Sequence, residues 1–154
     1  MKKLLMLIVL IITISAQAQV PIEITEDVDE FTGKVSYNLN QVCTFKKEGK
    51  AEMVLLPNLA SAHKIEFLGA LAAGIGCIEN AQIYILFEDG EVINSYMFNK
   101  FNCDGLAGFR LNKKEWDMLA TKKIAKVKFS NKGKSIVGEP DNPEYFITVF
   151  NLLK

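Results

Sequence analysis

Gln82-Ile-Tyr-Ile-Leu-Phe-Glu-Asp-Gly-Glu-Val-Ile-Asn-Ser-Tyr-Met-Phe98 decides how the rest of the chain is read. Two β-prone runs flank Asp89-Gly90, and Asp-Gly supplies the two positive-φ positions of a type I′ hairpin turn. A two-residue closure sets Phe87 against Val92, Ile85 against Asn94 and Ile83 against Tyr96, with Leu86 against Ile93 on the other face. Both faces are largely apolar, so the ribbon is expected at the centre of a sheet, covered on both sides.

Cys77 lies 12 residues before Asp89 and Cys103 13 residues after Gly90. If the ribbon continues that far with a one-residue bulge, the two thiols arrive opposite each other, and a Cys77–Cys103 disulfide is predicted. No Cys-x-x-Cys is present, so neither a zinc knuckle nor a thioredoxin-type redox pair is offered. Cys43 is left over as a buried small hydrophobe, a reactive thiol or an intermolecular link.

Before the ribbon in sequence, strands are expected at 31–39, with 42–45 as its continuation or a second strand, and at 52–56 and 65–71; after it, at 105–111 and 122–129. Pro57-Asn58 is expected to end the 52–56 strand, and Lys46 to Lys50 to form a charged turn. Asn112 with Glu115 resembles a capping box opening a helix that Trp116, Leu119 and Ala120 anchor to the sheet. Residues 130–141 read as polar and turn-rich. Asn142-Pro143-Glu144 then starts a C-terminal helix with Phe146, Val149, Phe150 and Leu153 on one face. The glycines Gly69, Gly74 and Gly76 lack the order and the following Lys-Ser or Lys-Thr of a phosphate loop, so a buried strand and tight turn are expected there.

Residues 1–18 read as a signal peptide. Met1-Lys2-Lys3 is basic, Leu4 to Ile12 is apolar, and Ala16-Gln17-Ala18 is a small-x-small cleavage site, so cleavage is predicted before Gln19. The apolar run is too short to cross a hydrocarbon core, which needs about 20 residues in a helix. An exported product is expected, periplasmic or secreted, with no stable membrane insertion after cleavage. Residues 19–30 form an acidic lead-in holding Glu23, Glu26, Asp27, Asp29 and Glu30, and lack the spacing of a helix-loop-helix calcium site. Residues 31–154 form the single domain.

The whole chain has 18 basic and 18 acidic residues, a balance that denies nucleic acid its usual electrostatic footprint. His63 is the only histidine. With Cys77 and Cys103 paired, Cys43 with His63 is the one nucleophile–base combination left. Asp89, Asp104, Glu115 and Asp117 could supply a carboxylate cluster, but turn and helix-surface roles already account for them. No Gly-x-Ser-x-Gly elbow appears. No metal or cofactor site is expected. The lysines at 113–114 and 122–128 read as solvated faces.

The order Asp29-Glu-Phe-Thr-Gly33, Ile85-Leu-Phe-Glu-Asp-Gly90, Asn102-Cys-Asp-Gly105 and Leu111-Asn112 resembles small exported proteins of Bacteroidetes-type bacteria. That resemblance implies a fold and a location and carries no reaction. The expected fold is α+β, a mainly antiparallel sheet of six to seven strands with two helices. The expected function is a non-catalytic binding or interaction module for a protein or small-molecule ligand. The alternative is an enzyme using Cys43 with His63 or a carboxylate cluster.

Overall fold

The computed structural model describes residues 20–154, so the expected leader and its cleavage before Gln19 lie outside the described residues. Its elements are β1 (Ile24–Val28), β2 (Val35–Leu39), β3 (Cys43–Lys47), β4 (Lys50–Ser61), β5 (Lys64–Ala72), β6 (Gln82–Phe87), β7 (Val92–Tyr96), β8 (Leu106–Phe109), α1 (Lys113–Thr121), β9 (Ile124–Asn131), β10 (Lys134–Pro140) and α2 (Tyr145–Leu152). Eight strands form one antiparallel sheet in the order β7-β6-β9-β10-β3-β4-β5-β8, and β1 and β2 form a separate hairpin. The two ends of that order meet again. Met97 bridges Phe109, and the Phe98 N–H donates to the Gly108 carbonyl at 2.9 Å. The expectation of six to seven strands is therefore corrected: the fold is mainly antiparallel β, with a nearly closed eight-stranded barrel-like sheet, a two-stranded sheet and two short helices.

Closure explains the side-chain pattern. Alternate residues point inward, and Phe45, Leu55, Leu68, Ile83, Ile85, Phe87, Ile93, Phe109 and Phe129 are buried in one core. The neighbours on the other face, Leu86 and Val92 among them, are exposed. The ribbon is thus covered on one face only, unlike the expectation from its sequence.

The Asp89-Gly90 turn is also different from its reading. Leu86 faces Val92 and Ile85 faces Ile93, one residue out of the expected register. The Gly90 N–H donates to the Phe87 carbonyl at 3.0 Å and the Phe87 N–H to the Glu91 carbonyl at 2.9 Å. Gly90 alone has a positive φ, +88°. This is a three-residue loop, a type I turn ending in a left-handed glycine. Paired positive φ values occur instead at Glu48-Gly49 (51° and 80°) and Lys132-Gly133 (47° and 78°), where two-residue turns join β3 to β4 and β9 to β10.

Two strands escaped the sequence reading. Ile24–Val28, inside the acidic lead-in, pairs with β2 from Ile24↔Leu39 to Val28↔Val35. Its acids stay in water, so pairing costs them no desolvation. Residues 134–140 of the polar stretch form β10, which pairs with both β9 and β3. A Cβ at Gly138 would lie 2.9 Å from the Phe45 Cβ, so glycine lets β10 close on β3. Pro57 lies within β4 rather than at its end. Pairing with β3 has stopped at Leu55, and a proline is tolerated along that free edge.

The two ends of the sheet are built differently. α1, between β8 and β9, and α2, after β10, share one end. The capping box forms as expected: the Glu115 N–H donates to Asn112 Oδ1 at 3.0 Å and the Asn112 N–H to Glu115 Oε2 at 2.7 Å. α2 begins two residues beyond the expected start, with Asn142 Oδ1 accepting from the Glu144 N–H at 3.0 Å. At the opposite end Cys77 and Cys103 are joined, beside an Ile78↔Asn102 bridge. There the Asn99 side chain replaces a strand: its Nδ2 donates to the Leu106 carbonyl at 2.9 Å and its Oδ1 accepts from the Gly108 N–H at 2.8 Å.

Replacing both Cys77 and Cys103 with serine should lower stability by about 3.5 kcal/mol in the chain-entropy picture and the melting temperature by about 10 °C, read by calorimetry with and without reductant. Asn99→Ala strands the Gly108 N–H at the closing seam, while the Leu106 carbonyl keeps its bond from Asn102 Nδ2 at 3.0 Å. It should cost about 1–3 kcal/mol in urea unfolding, whereas a surface Asn151→Ala should cost under about 0.5 kcal/mol.

Candidate functional site

At the helix end, the β4–β5 turn and the two helices enclose a groove of about 410 Å³. The capping box fixes where α1 starts, and that register aims Trp116 and Ala120 at the groove. Phe150 of α2 and its C-cap residue Leu153 lie one turn apart and supply the facing wall. The Trp116 and Phe150 ring centroids are 6.0 Å apart and tilted by 57°, within the range of a favourable aromatic pair. Ile65 completes an apolar floor.

The rim is polar and mostly basic. His63, Lys64, Asp117 and Lys154 stand around the opening. Asp117 is already held by Lys113 at 2.8 Å, one helical turn away. Lys64 and Lys154 have no carboxylate partner among the described residues, Lys154 donating instead to Asn151 Oδ1 at 2.9 Å. The groove therefore offers an aromatic floor under two unpaired positive charges.

The sequence-derived candidates are dispersed. Cys43 is fully buried at the start of β3, with its Sγ 3.9 Å from the Asn142 carbonyl. Burial first, and Asp141 second, push this thiol well above the usual range. His63 sits in the exposed β4–β5 turn, its N–H donating to Ser61 Oγ at 3.3 Å, and shares no hydrogen bond with Cys43. Asp89 is held by Lys122, whose ammonium and the Glu91 N–H keep its carboxyl below the ordinary value. Glu115 is occupied by the α1 cap, and Asp104 lies in a shallow depression beside Gly105 near the disulfide. The four acids do not meet. Among the described residues no group of three or more His, Cys, Asp or Glu could hold a metal ion, and no helix is long and apolar enough to cross a membrane.

No protein-family model, curated protein or solved structure matches the chain. The chemistry of the residues must carry the assignment. A larger cavity, about 610 Å³, lies between Val20–Ile22, Gln41 and Tyr145, but its walls adjoin residues outside the described range, and its Tyr145 hydroxyl already donates to the Gln41 carbonyl at 2.7 Å. The groove is the better-built site.

Trp116 was readable as a helix anchor and Phe150 as a core residue, and both do pack against the core. Periodicity does not reveal that the outer edge of each stripe stays open, because that depends on how α1, α2 and the β4–β5 turn meet. Lys64, Ile65 and Lys154 carried no signal; their role comes from position alone.

Cys43 should resist a thiol-specific disulfide reagent in the native protein and react once per chain after denaturation without reductant, read from the absorbance of the released thiolate. Burial also raises the Tyr145 hydroxyl, so two acidic groups keep their protons in the fold that they lose in the unfolded chain. The contribution of these two groups should be constant below about pH 8.5, and stability should fall as pH rises past the ordinary thiol and phenol values of about 8.5 and 10. Urea midpoints between pH 7 and pH 11 check the slope.

Proposed function

We propose that this chain is a small exported, non-catalytic binding module, acting in the periplasm or outside the cell, whose ligand presents an aromatic or branched apolar group next to negative charge. One observation carries this reading: Trp116 and Phe150 floor an open groove whose rim holds the unpaired Lys64 and Lys154. Apolar walls with a few convergent polar groups are the usual form of a small-ligand site. The Cys77–Cys103 disulfide supports an oxidising compartment, where such bonds persist. The resemblance to small exported proteins of Bacteroidetes-type bacteria supports the same location. The rival reading, an enzyme based on Cys43 with His63 or on a carboxylate cluster, has less to stand on, since its nucleophile is buried and its four acids lie apart, three of them already bonded elsewhere.

Trp116 is the only tryptophan, so intrinsic emission reports on the groove alone. N-acetylphenylalanine as its anion should shift that emission saturably, while N-acetylalanine should not. Phe150→Ala should weaken the response at least about fivefold, the value of one aromatic contact. An unchanged emission up to about 10 mM, where even a millimolar ligand would saturate the site, removes the reading.

A further inference from the structure

The β1–β2 hairpin packs its base, Ile24 and Leu39, against the barrel core and ends at its tip in an apolar group. Phe31 at its tip is 97% exposed, the highest value of any large apolar side chain described. An exposed phenylalanine is ordinary on a loose loop, but this loop is tied down. Asp29 Oδ1 accepts from the Phe31 N–H at 2.9 Å and the Thr32 N–H at 2.7 Å. The Gly33 N–H donates to the Asp29 carbonyl at 2.8 Å and the Asp29 N–H to the Lys34 carbonyl at 2.9 Å. Gly33 takes the left-handed φ of +66° that this closure requires. The same donors, the Thr32 N–H foremost, hold the Asp29 carboxyl below its ordinary range. A tip ordered in advance presents Phe31 without a further loss of loop entropy on binding.

Charge points to what the tip meets. Residues 20–39 carry Glu23, Glu26, Asp27, Asp29 and Glu30 against Lys34 alone. None of these acids has a lysine or arginine partner among the described residues. The groove on the helix end offers the complement, an aromatic floor below the unpaired Lys64 and Lys154. No residue of the hairpin is among the groove walls, so Phe31 does not fill the groove of its own chain.

We infer that the groove is occupied by the Phe31-tipped acidic hairpin of a second copy of this chain. The inference rests on the groove reading above and names its ligand. Phe31 sits against Trp116 and Phe150, and Asp27 and Glu30 approach Lys64 and Lys154. Each copy has one hairpin and one groove on different surfaces, so the contact is heterologous and extends head to tail unless the copies close into a ring. One aromatic anchor with a charged rim makes a small interface, so the association is weak and sensitive to salt.

Sedimentation velocity of the purified protein tests this. The weight-average mass should rise between about 10 μM and 1 mM, the range of a weak, small interface, and the rise should shrink between 50 and 500 mM salt, roughly where screening shortens from over 10 Å to a few Å. Phe31→Ala should be monomeric throughout. Trp116→Ala should be monomeric as well, and Lys64→Glu, an exposed change that leaves the core untouched, should weaken association at least tenfold. Mixing F31A, with an intact groove, and W116A, with an intact hairpin, should give 1:1 dimers and nothing larger. A monomeric wild type at 1 mM, or F31A associating like wild type, overturns the inference, as does Phe31-dependent binding of the monomer to phosphatidylcholine vesicles. Saturable binding of N-acetylphenylalanine by a protein that stays monomeric would sink the second-copy ligand and leave the groove reading standing; failure of both would end both.

Discussion

The seam between β7 and β8 is where the ring of strands closes, and it is the thinnest seam in the molecule. Elsewhere neighbouring strands share at least two paired residues; here one bridge, one further main-chain bond and the amide of Asn99 do the joining. Without it β7 and β8 would each expose an edge able to recruit another chain. Small residues make the approach feasible. A Cβ at Gly108 would lie 2.7 Å from the Phe98 ring, which instead covers the glycine, meets Phe67 edge-on at 5.4 Å and carries the Arg110 guanidinium at 4.5 Å. The nearly closed ring holds its own side chains inside, so ligand binding moves to the ends and the outer surface.

Those ends have divided the work. One is stapled by Cys77–Cys103, with buried Asn131 accepting from the Glu79 N–H and donating to the Cys77 carbonyl at 3.0 Å each, which anchors the loop before the ribbon to the β9–β10 hairpin. The other is covered by α1 and α2, whose inner faces join the core while their outer edges wall the groove. A site formed where helices meet a tight hairpin turn is held by rigid elements, and its aromatic rings need little reorganisation to receive a ligand.

Local features were legible in the sequence and distant ones were not. The ribbon, the Cys77–Cys103 pairing and the Asn112–Glu115 cap depend on residues close in sequence or symmetric about one turn. The register around Asp89-Gly90 was misread because a dipeptide does not distinguish a two-residue loop from a three-residue one, and a one-residue slip moves every side chain to the other face. β1 and β10 were invisible for another reason. Ile24–Val28 is acidic and Lys134–Pro140 holds glycine and proline, and each becomes a strand through its partner rather than through propensity. The groove needs three elements from separate parts of the chain, so no stretch of sequence announces it.

β3 has one neighbour nearby and one far away. Its β4 edge is satisfied across the two-residue turn at Glu48-Gly49, but its other edge waits for β10, with Thr44 and Asp141, 97 residues apart, joined at that border. A chain emerging from the ribosome in order must therefore carry β3 half-paired through most of its synthesis. Slow, non-local pairing of this kind favours late, all-at-once consolidation and leaves the nascent chain dependent on being held apart from its neighbours until β10 arrives.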